Sequence, residues 1–199
     1  MKAGFTRING AVTAPRGFRA AGIAAGIKAS GKKDMALIVS DRPASVAAVF
    51  TTNQVKAAPV KLSMRHAKYG KASAIIANSG NANACTKDGP IHARAMAVAV
   101  ARRLGCAENH VLVCSTGRIG VNLPIVKVEA GVKKLLGALS QRGGSAAAQA
   151  IMTTDTFVKE IAVQFKAGGK TIRIGGIAKG AGMIQPNMAT MLHHGCSRS

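Results

Sequence analysis

The chain has 199 residues, with 28 lysines and arginines against 7 aspartates and glutamates, a formal charge of +21. Hydrophobic residues make up 48% and aromatics 3%, with no tryptophan. A core of Ala, Val, Ile, Leu and Met is therefore available, which argues against disorder, and the aromatic platforms of single-strand nucleic-acid binders are mostly absent. No apolar run approaches the roughly 20 residues of a membrane-spanning helix. The start, MKAGFTRINGAVTAPRGFRA, lacks the apolar stretch and cleavage site of an export signal. Both point to a cytoplasmic protein. Its four cysteines (Cys85, Cys106, Cys114, Cys196) show no CxxC pair and no metal-type spacing, so they read as reduced thiols.

In chain order, Phe18 to Ser40 reads as a hairpin: a small-residue strand, an SGKKD turn and the apolar run Met35 to Val39. Asp41-Arg42-Pro43 signals a turn, and Ala47 to Thr52 a further strand. Ala72 to Ala77 is an apolar strand running into Asn78 to Thr86, small and amide residues that suit tight turning and exposed backbone N–H groups rather than a core. Apolar positions recur at helical offsets from Ile91 to Leu104, and Gly105 stops that helix. His110 to Cys114 reads as a buried central strand, and Ser115 to Gly120 as the loop leaving it, a common place for chemistry. Asn122 and Pro124 introduce a helix whose face carries Val128, Val132, Leu135 and Leu136. Gly143 to Met152 is one more helix, ended by Thr153 to Thr156. The strands Val158 to Phe165 and Thr171 to Ile177 join through Ala167-Gly168-Gly169-Lys170. This order favours an α+β class over a doubly wound parallel sheet, as a layered α/β/β/α-type sandwich with mixed or antiparallel sheets.

Ile177 to Leu192, IAKGAGMIQPNMATML, is the most unusual segment. It is not a phosphate-binding loop, because its lysine precedes the glycines instead of following them. Its plain reading is a glycine-hinged strand exit. The chemical reading turns on Thr190: cleavage of the peptide bond before it would free an α-amino group with a pKa near 7.7–8.0, suited to act as base for the hydroxyl.

KGAGMIQPNMATML closely resembles the self-cleavage segment of the ornithine acetyltransferases, the bifunctional glutamate N-acetyltransferases of arginine biosynthesis. GFRAAGIAAGIK at Gly17 to Lys28, NSGNANACT at Asn78 to Thr86, STGRIG at Ser115 and MTTDTF at Met152 agree in order, so the resemblance spans Ala14 to Leu192. It implies self-cleavage between Ala189 and Thr190 into associated α and β chains, with 1–189 as the α-chain region and 190–199 as the start of the β chain. Thr190 is then the nucleophile that takes acetyl from N-acetylornithine and passes it to glutamate, acetyl-CoA being a second donor in some members. Thr116 and Gly117 match the oxyanion-hole pair, and Thr156, Lys179 and Thr190 match substrate-binding positions. The implied partner is the β chain, in an α/β heterotetramer, and the implied fold is incomplete without it. No cofactor and no metal are implied.

On the residues alone, Thr116 and Thr156 read as turn formers and Lys179 as one of many surface lysines. His66, His92 and His110 read as structural or exposed. His193, His194 and Cys196 make only a weak metal-tail signal. From His193 the sequence departs from the family and its β half is missing, and Arg118 stands where an apolar residue is usual. The expectation is a chain inactive by itself, which leaves an interaction-only α subunit or a truncated product as alternatives. A basic nucleic-acid-binding module is the rival class. It is disfavoured because the positive residues, including Arg65-His66-Ala67-Lys68 and Arg102-Arg103, are scattered and no recognition motif is present.

Overall fold

Short apolar runs alternating with polar turns build two four-stranded sheets in the computed structural model, which describes residues 4–181 and 192–198. In chain order the elements are β1 (Thr6–Arg7), a 3-10 turn at Ala11–Thr13, β2 (Phe18–Ile23), β3 (Met35–Ser45), α1 (Ala58–Ala67), β4 (Lys71–Asn81), α2 (Gly89–Leu104), a 3-10 turn at Glu108–His110, β5 (Val111–Arg118), α3 (Ile125–Gly137), α4 (Gly144–Ile151), β6 (Lys159–Ala167), β7 (Lys170–Lys179) and β8 (Leu192–Arg198). The first sheet has the order β2-β3-β4-β5, antiparallel except for the parallel β4–β5 pair. The second, β1-β6-β7-β8, is antiparallel throughout. The α+β class and the mixed and antiparallel sheets are those expected.

Helices α1, α2 and α3 cover one face of the first sheet. Met96, Val100, Val132 and Leu135 are fully buried against Met35, Leu37 and Ile76, each burial contributing roughly 1.5–3 kcal/mol. The other face meets α4, whose Ala147, Ala148 and Ile151 pack with Ile38 and Ala77 and, from the second sheet, with Ile177 and Cys196. Helix α4 is therefore held between the sheets. The opposite face of the second sheet leaves Ile161 55% and Ile174 41% exposed, and among the described residues no helix covers it.

Four local expectations are corrected. Ala47 to Thr52 forms no strand, because side chains capture the backbone there: Asn53 N donates to Thr51 Oγ1 and Val55 N to Asn53 Oδ1. Asp41-Arg42-Pro43 is not a turn between strands but an irregularity inside β3, where the register jumps between Val39 and Ala44, a position that tolerates proline. The Asn78 run continues β4, and Asn78, Ser79, Asn81 and Asn83 are buried. Finally β5 is not central but ends its sheet, and Ser115 to Arg118 belong to the strand.

Helix α1, unforeseen in the sequence, deals with that edge. Ser63 Oγ donates to Val113 O (2.7 Å) and accepts from Val113 N (2.8 Å), and the His66 ring bonds Val111 O at 2.8 Å. An edge strand so covered offers no template for pairing with another chain. His66 is thus a buried structural histidine and not part of a basic surface.

Candidate active site

The site grows from buried amides and one buried carboxylate. Asp34, with no solvent exposure, accepts backbone N–H bonds from Ala25 and Ile27 (2.6 Å each) and Lys28 (3.0 Å), which folds the loop after β2 around it. Ser79 N donates to Asp34 O, which ties that loop to the end of β4. Further along β4, Asn78 Nδ2 donates to Asn81 O and Asn78 Oδ1 accepts from Ser115 Oγ (2.6 Å). Asn81 Nδ2 donates to Val121 O and Asn122 O, while Asn81 Oδ1 accepts from Asn83 N. Asn78 and Asn81 thus replace lost water with protein partners, and Asn83 Nδ2 donates to Gly89 O while its buried Oδ1 has no hydrogen-bond partner among the described residues.

These bonds fix the ends of β4 and β5, where Thr116 pairs in register with Ser79 and Asn81. Thr116 is buried. Gly117 has φ +134° opposite Gly80 at φ +96°. A Cβ at Gly117 would fall on the Gly80 carbonyl carbon and 2.5 Å from Asn81 N, so only glycine lets the strands meet there.

The second cluster lies at the end of β7. Lys179 is buried, its side chain 2% exposed, with Nζ donating to Gly180 O (2.7 Å) and lying 3.9 Å from Asp155 Oδ2. Asp155, 3% exposed, accepts from Lys159 Nζ (2.8 Å), Gly180 N (2.9 Å) and Thr153 N (3.3 Å). Desolvation pushes the Asp155 carboxyl upward, but these bonds and the Lys179 charge outweigh it and hold the group down to about 2. Burial pushes the Lys179 ammonium below the usual lysine range, against the pull of Asp155. Thr156, next to Asp155, is exposed.

Lys28 joins the two clusters. Its Nζ donates to Lys33 O (2.8 Å) and to Met152 O (2.7 Å) at the C-terminal end of α4, where a cation meets the negative end of the helix dipole. Ser79 Oγ donates to Ala150 O on the same helix end. Burial lowers the Lys28 pKa, and the ammonium also feels Asp34, Lys32, Lys179 and Asp155.

The structure therefore brings Thr116 and Gly117 to one strand end and Lys179 and Thr156 to either side of Asp155, with Lys28 between. Ala189 and Thr190 lie outside the described residues. Sequence reasoning missed Asp34, Asp155 and Lys28. Their signal was scarcity: with only 7 carboxylates in the chain, one inside GFRAAGIAAGIKASGKKD and one inside MTTDTF merited notice. His194 and Cys196 lie buried in β8 while His193 is exposed, and no group of three metal-ligating side chains occurs among the described residues. All four cysteines are free thiols.

These features define a two-sheet α+β scaffold with a lysine- and carboxylate-bearing site at its strand ends. The ArgJ family model matches residues 19–196, and the chain belongs to that family. It is 58% identical over 186 residues to the arginine biosynthesis bifunctional protein ArgJ of Caldanaerobacter subterraneus, covering 93% of this chain and 46% of that protein. For the ArgJ of Gloeobacter violaceus the figures are 53% over 192 residues, 96% and 47%. The chain thus spans about half the length of these curated relatives. Among solved structures, ArgJ from Bacillus halodurans superposes with a TM-score of 0.87 at 42% identity, covering 96% of this chain and 100% of that one. An ornithine acetyltransferase from Mycobacterium tuberculosis, in complex with ornithine, gives 0.81 at 44%, covering 92% and 98%. No described helix is long and apolar enough to cross a membrane.

Proposed function

We propose that this chain is the cleavage-bearing half of a cytoplasmic acetyl-recycling enzyme, which moves acetyl from N-acetylornithine to glutamate through Thr190. The observation that carries the reading is the buried Lys179–Asp155 group at the end of β7, the strand that leads directly into KGAGMIQPNMAT. A charged lysine held inside beside the Thr153–Thr156 turn suits recognition of an amino-acid carboxylate. Two comparisons support it. One relative was solved with ornithine bound. The chain also covers 98–100% of the solved chains but under half of the curated relatives, the relation that two separate chains per precursor would produce.

In this mechanism the Thr190 hydroxyl attacks the Ala189 carbonyl, the peptide shifts from nitrogen to oxygen, and water hydrolyses the ester to leave a free Thr190 α-amine. That amine takes the hydroxyl proton as the oxygen attacks the acetyl carbonyl of N-acetylornithine. Thr116 and Gly117 donate to the tetrahedral oxyanion, a role whose loss typically costs about 10²–10³ in turnover. The carbon–nitrogen bond breaks and ornithine leaves with the proton; the glutamate amine then attacks the ester carbonyl, and its proton passes through the Thr190 α-amine to the threonine oxygen as the ester carbon–oxygen bond breaks. Thr156 and Lys179 hold the substrates.

The uncovered face of the second sheet and the half-length span favour a chain that needs its β partner for turnover. Intact-mass measurement on fresh and aged protein tests the first step. Splitting into 1–189 and 190–199 is expected, and Thr190→Ala abolishes it. A single undiminished mass overturns self-cleavage in this chain. Acetyl transfer to glutamate by the chain alone overturns the requirement for a partner.

A further inference from the structure

Residues 173, 175, 177 and 179 of β7 share one face, so the strand that ends at Lys179 carries Arg173 on the same face about 20 Å away. There Arg173 lines a cleft of about 560 Å³ with Arg16, Arg142, Gln141, Ser145 and Asn9. The three guanidinium groups come from three separate segments: the stretch before β2, the turn before α4, and β7 itself. Among the described residues no lysine lines the cleft, although the chain holds more lysines than arginines.

No carboxylate lines it either, and no acidic side chain pairs with Arg142 or Arg173 among the described residues. Glu160 accepts a hydrogen bond from Ser145 Oγ (2.8 Å) but is not a lining residue. Helix α4 begins here without an acid in its first turn, so the positive end of its dipole adds to the arginine field. The Arg142 and Arg173 charges, which no acidic side chain pairs among the described residues, repel one another across the cleft until an anion sits between them.

We propose that this cleft binds a small oxyanion carrying two or more negative charges, at a site separate from the acyl-transfer centre. Guanidinium forks match carboxylate and phosphate oxygens two at a time, which a lysine point charge does not. The volume falls within the range of small-molecule sites. Phosphate-bearing and polycarboxylate metabolites share this chemistry, and the experiment below separates them.

The test is a titration of the ¹⁵N-labelled chain with inorganic phosphate and, separately, with citrate, in about 150 mM salt held at constant ionic strength, where exposed charges are screened beyond ~8 Å. Saturable shifts confined to amides near Gly10, Gly17, Arg142 and Ser145 are expected, and the anion that saturates first names the group. Arg142→Gln, at an exposed position, should weaken binding at least about tenfold, while Arg65→Gln on the outside of α1 removes one charge and leaves it unchanged. Shifts that spread over the lysine-bearing surface without saturating overturn the proposal. So does equal loss of binding in the Arg142 and Arg65 variants.

Discussion

The two ends of the inner face of β7 both carry a cation, and they treat it in opposite ways. At one end Lys179 is buried, and Asp155 and the Gly180 carbonyl are placed to receive it. At the other, Arg173 opens onto a cleft lined by further arginines and no acid. Helix α4 repeats the contrast, since its C-terminal carbonyls meet Lys28 and Ser79 while its N-terminus points the same sign as the arginines. In a chain with so few carboxylates, where they are spent separates positive charge fixed by the fold from positive charge kept for a ligand.

The strongest way to break this comparison is Asp155→Ala. It removes the acceptor shared by Lys159, Gly180 N and Thr153 N and leaves the Lys179 ammonium buried without its carboxylate. Losing one partner of a buried pair costs about 3–5 kcal/mol, so the urea midpoint should fall steeply. A variant as stable as the parent would mean that the pair contributes little to folding.

Acid separates the middle of the strand from its lysine end. His194 pairs in register with Ile177, halfway along the face, and burial together with His193 pushes its imidazole down to about 4. The unfolded chain binds this proton from pH 6.5 downward and the folded chain only near 4. Stability therefore falls by about 3 kcal/mol across that window, and His194→Gln removes the descent. Asp155, held at about 2 in the fold against 3.8 ordinarily, contributes in full above pH 4. A further loss of about 2 kcal/mol follows as pH drops from 4 to 2. Urea midpoints at pH 7, 4 and 2 resolve the two steps.

How much of this was legible differs between the ends. The hairpins β2–β3 and β6–β7, and helices α2, α3 and α4, could be read from apolar period and turn residues. Helix α1 could not, because its inward face carries Ser63 and His66, whose partners are the backbone of an edge strand some 45–50 residues away. The buried Asn78–Asn83 run was misread for the same reason: amides look like turn formers until each has an acceptor or donor from another segment. Thr116, Gly117, Thr156 and Lys179 came from family resemblance, whereas Asp155 and Lys28 act through tertiary bonds that no local pattern encodes. The arginine cleft left no sequence signal, since Arg16, Arg142 and Arg173 are far apart in the chain and meet only through the packing of α4 against β7.

A third prediction tests the link between the clusters. Lys28→Met keeps the apolar stem but removes the two bonds to Lys33 O and Met152 O. Each bond is worth about 1 kcal/mol, and the freed carbonyls lose their donor. A drop of about 2 kcal/mol is expected in urea, smaller than that of Asp155→Ala because the buried Asp34 carboxylate keeps its three backbone N–H bonds.

Arg173→Gln should have the smallest effect, and its sign carries the information. Arg173 is half-buried, so its stem packs and some contact is lost on shortening. Against that, one of the like charges lining the cleft disappears, which relieves its repulsion with the neighbouring arginines. The two effects nearly cancel, leaving a change within about 0.5 kcal/mol. Because the repulsion is screened by salt, the variant should be relatively more stable than the parent at low ionic strength and lose that advantage as salt rises. Urea midpoints of both proteins at two salt concentrations check this. A loss of several kcal/mol, as large as at Asp155, would mean that Arg173 is held by the fold after all, and the contrast between the two ends of β7 would collapse.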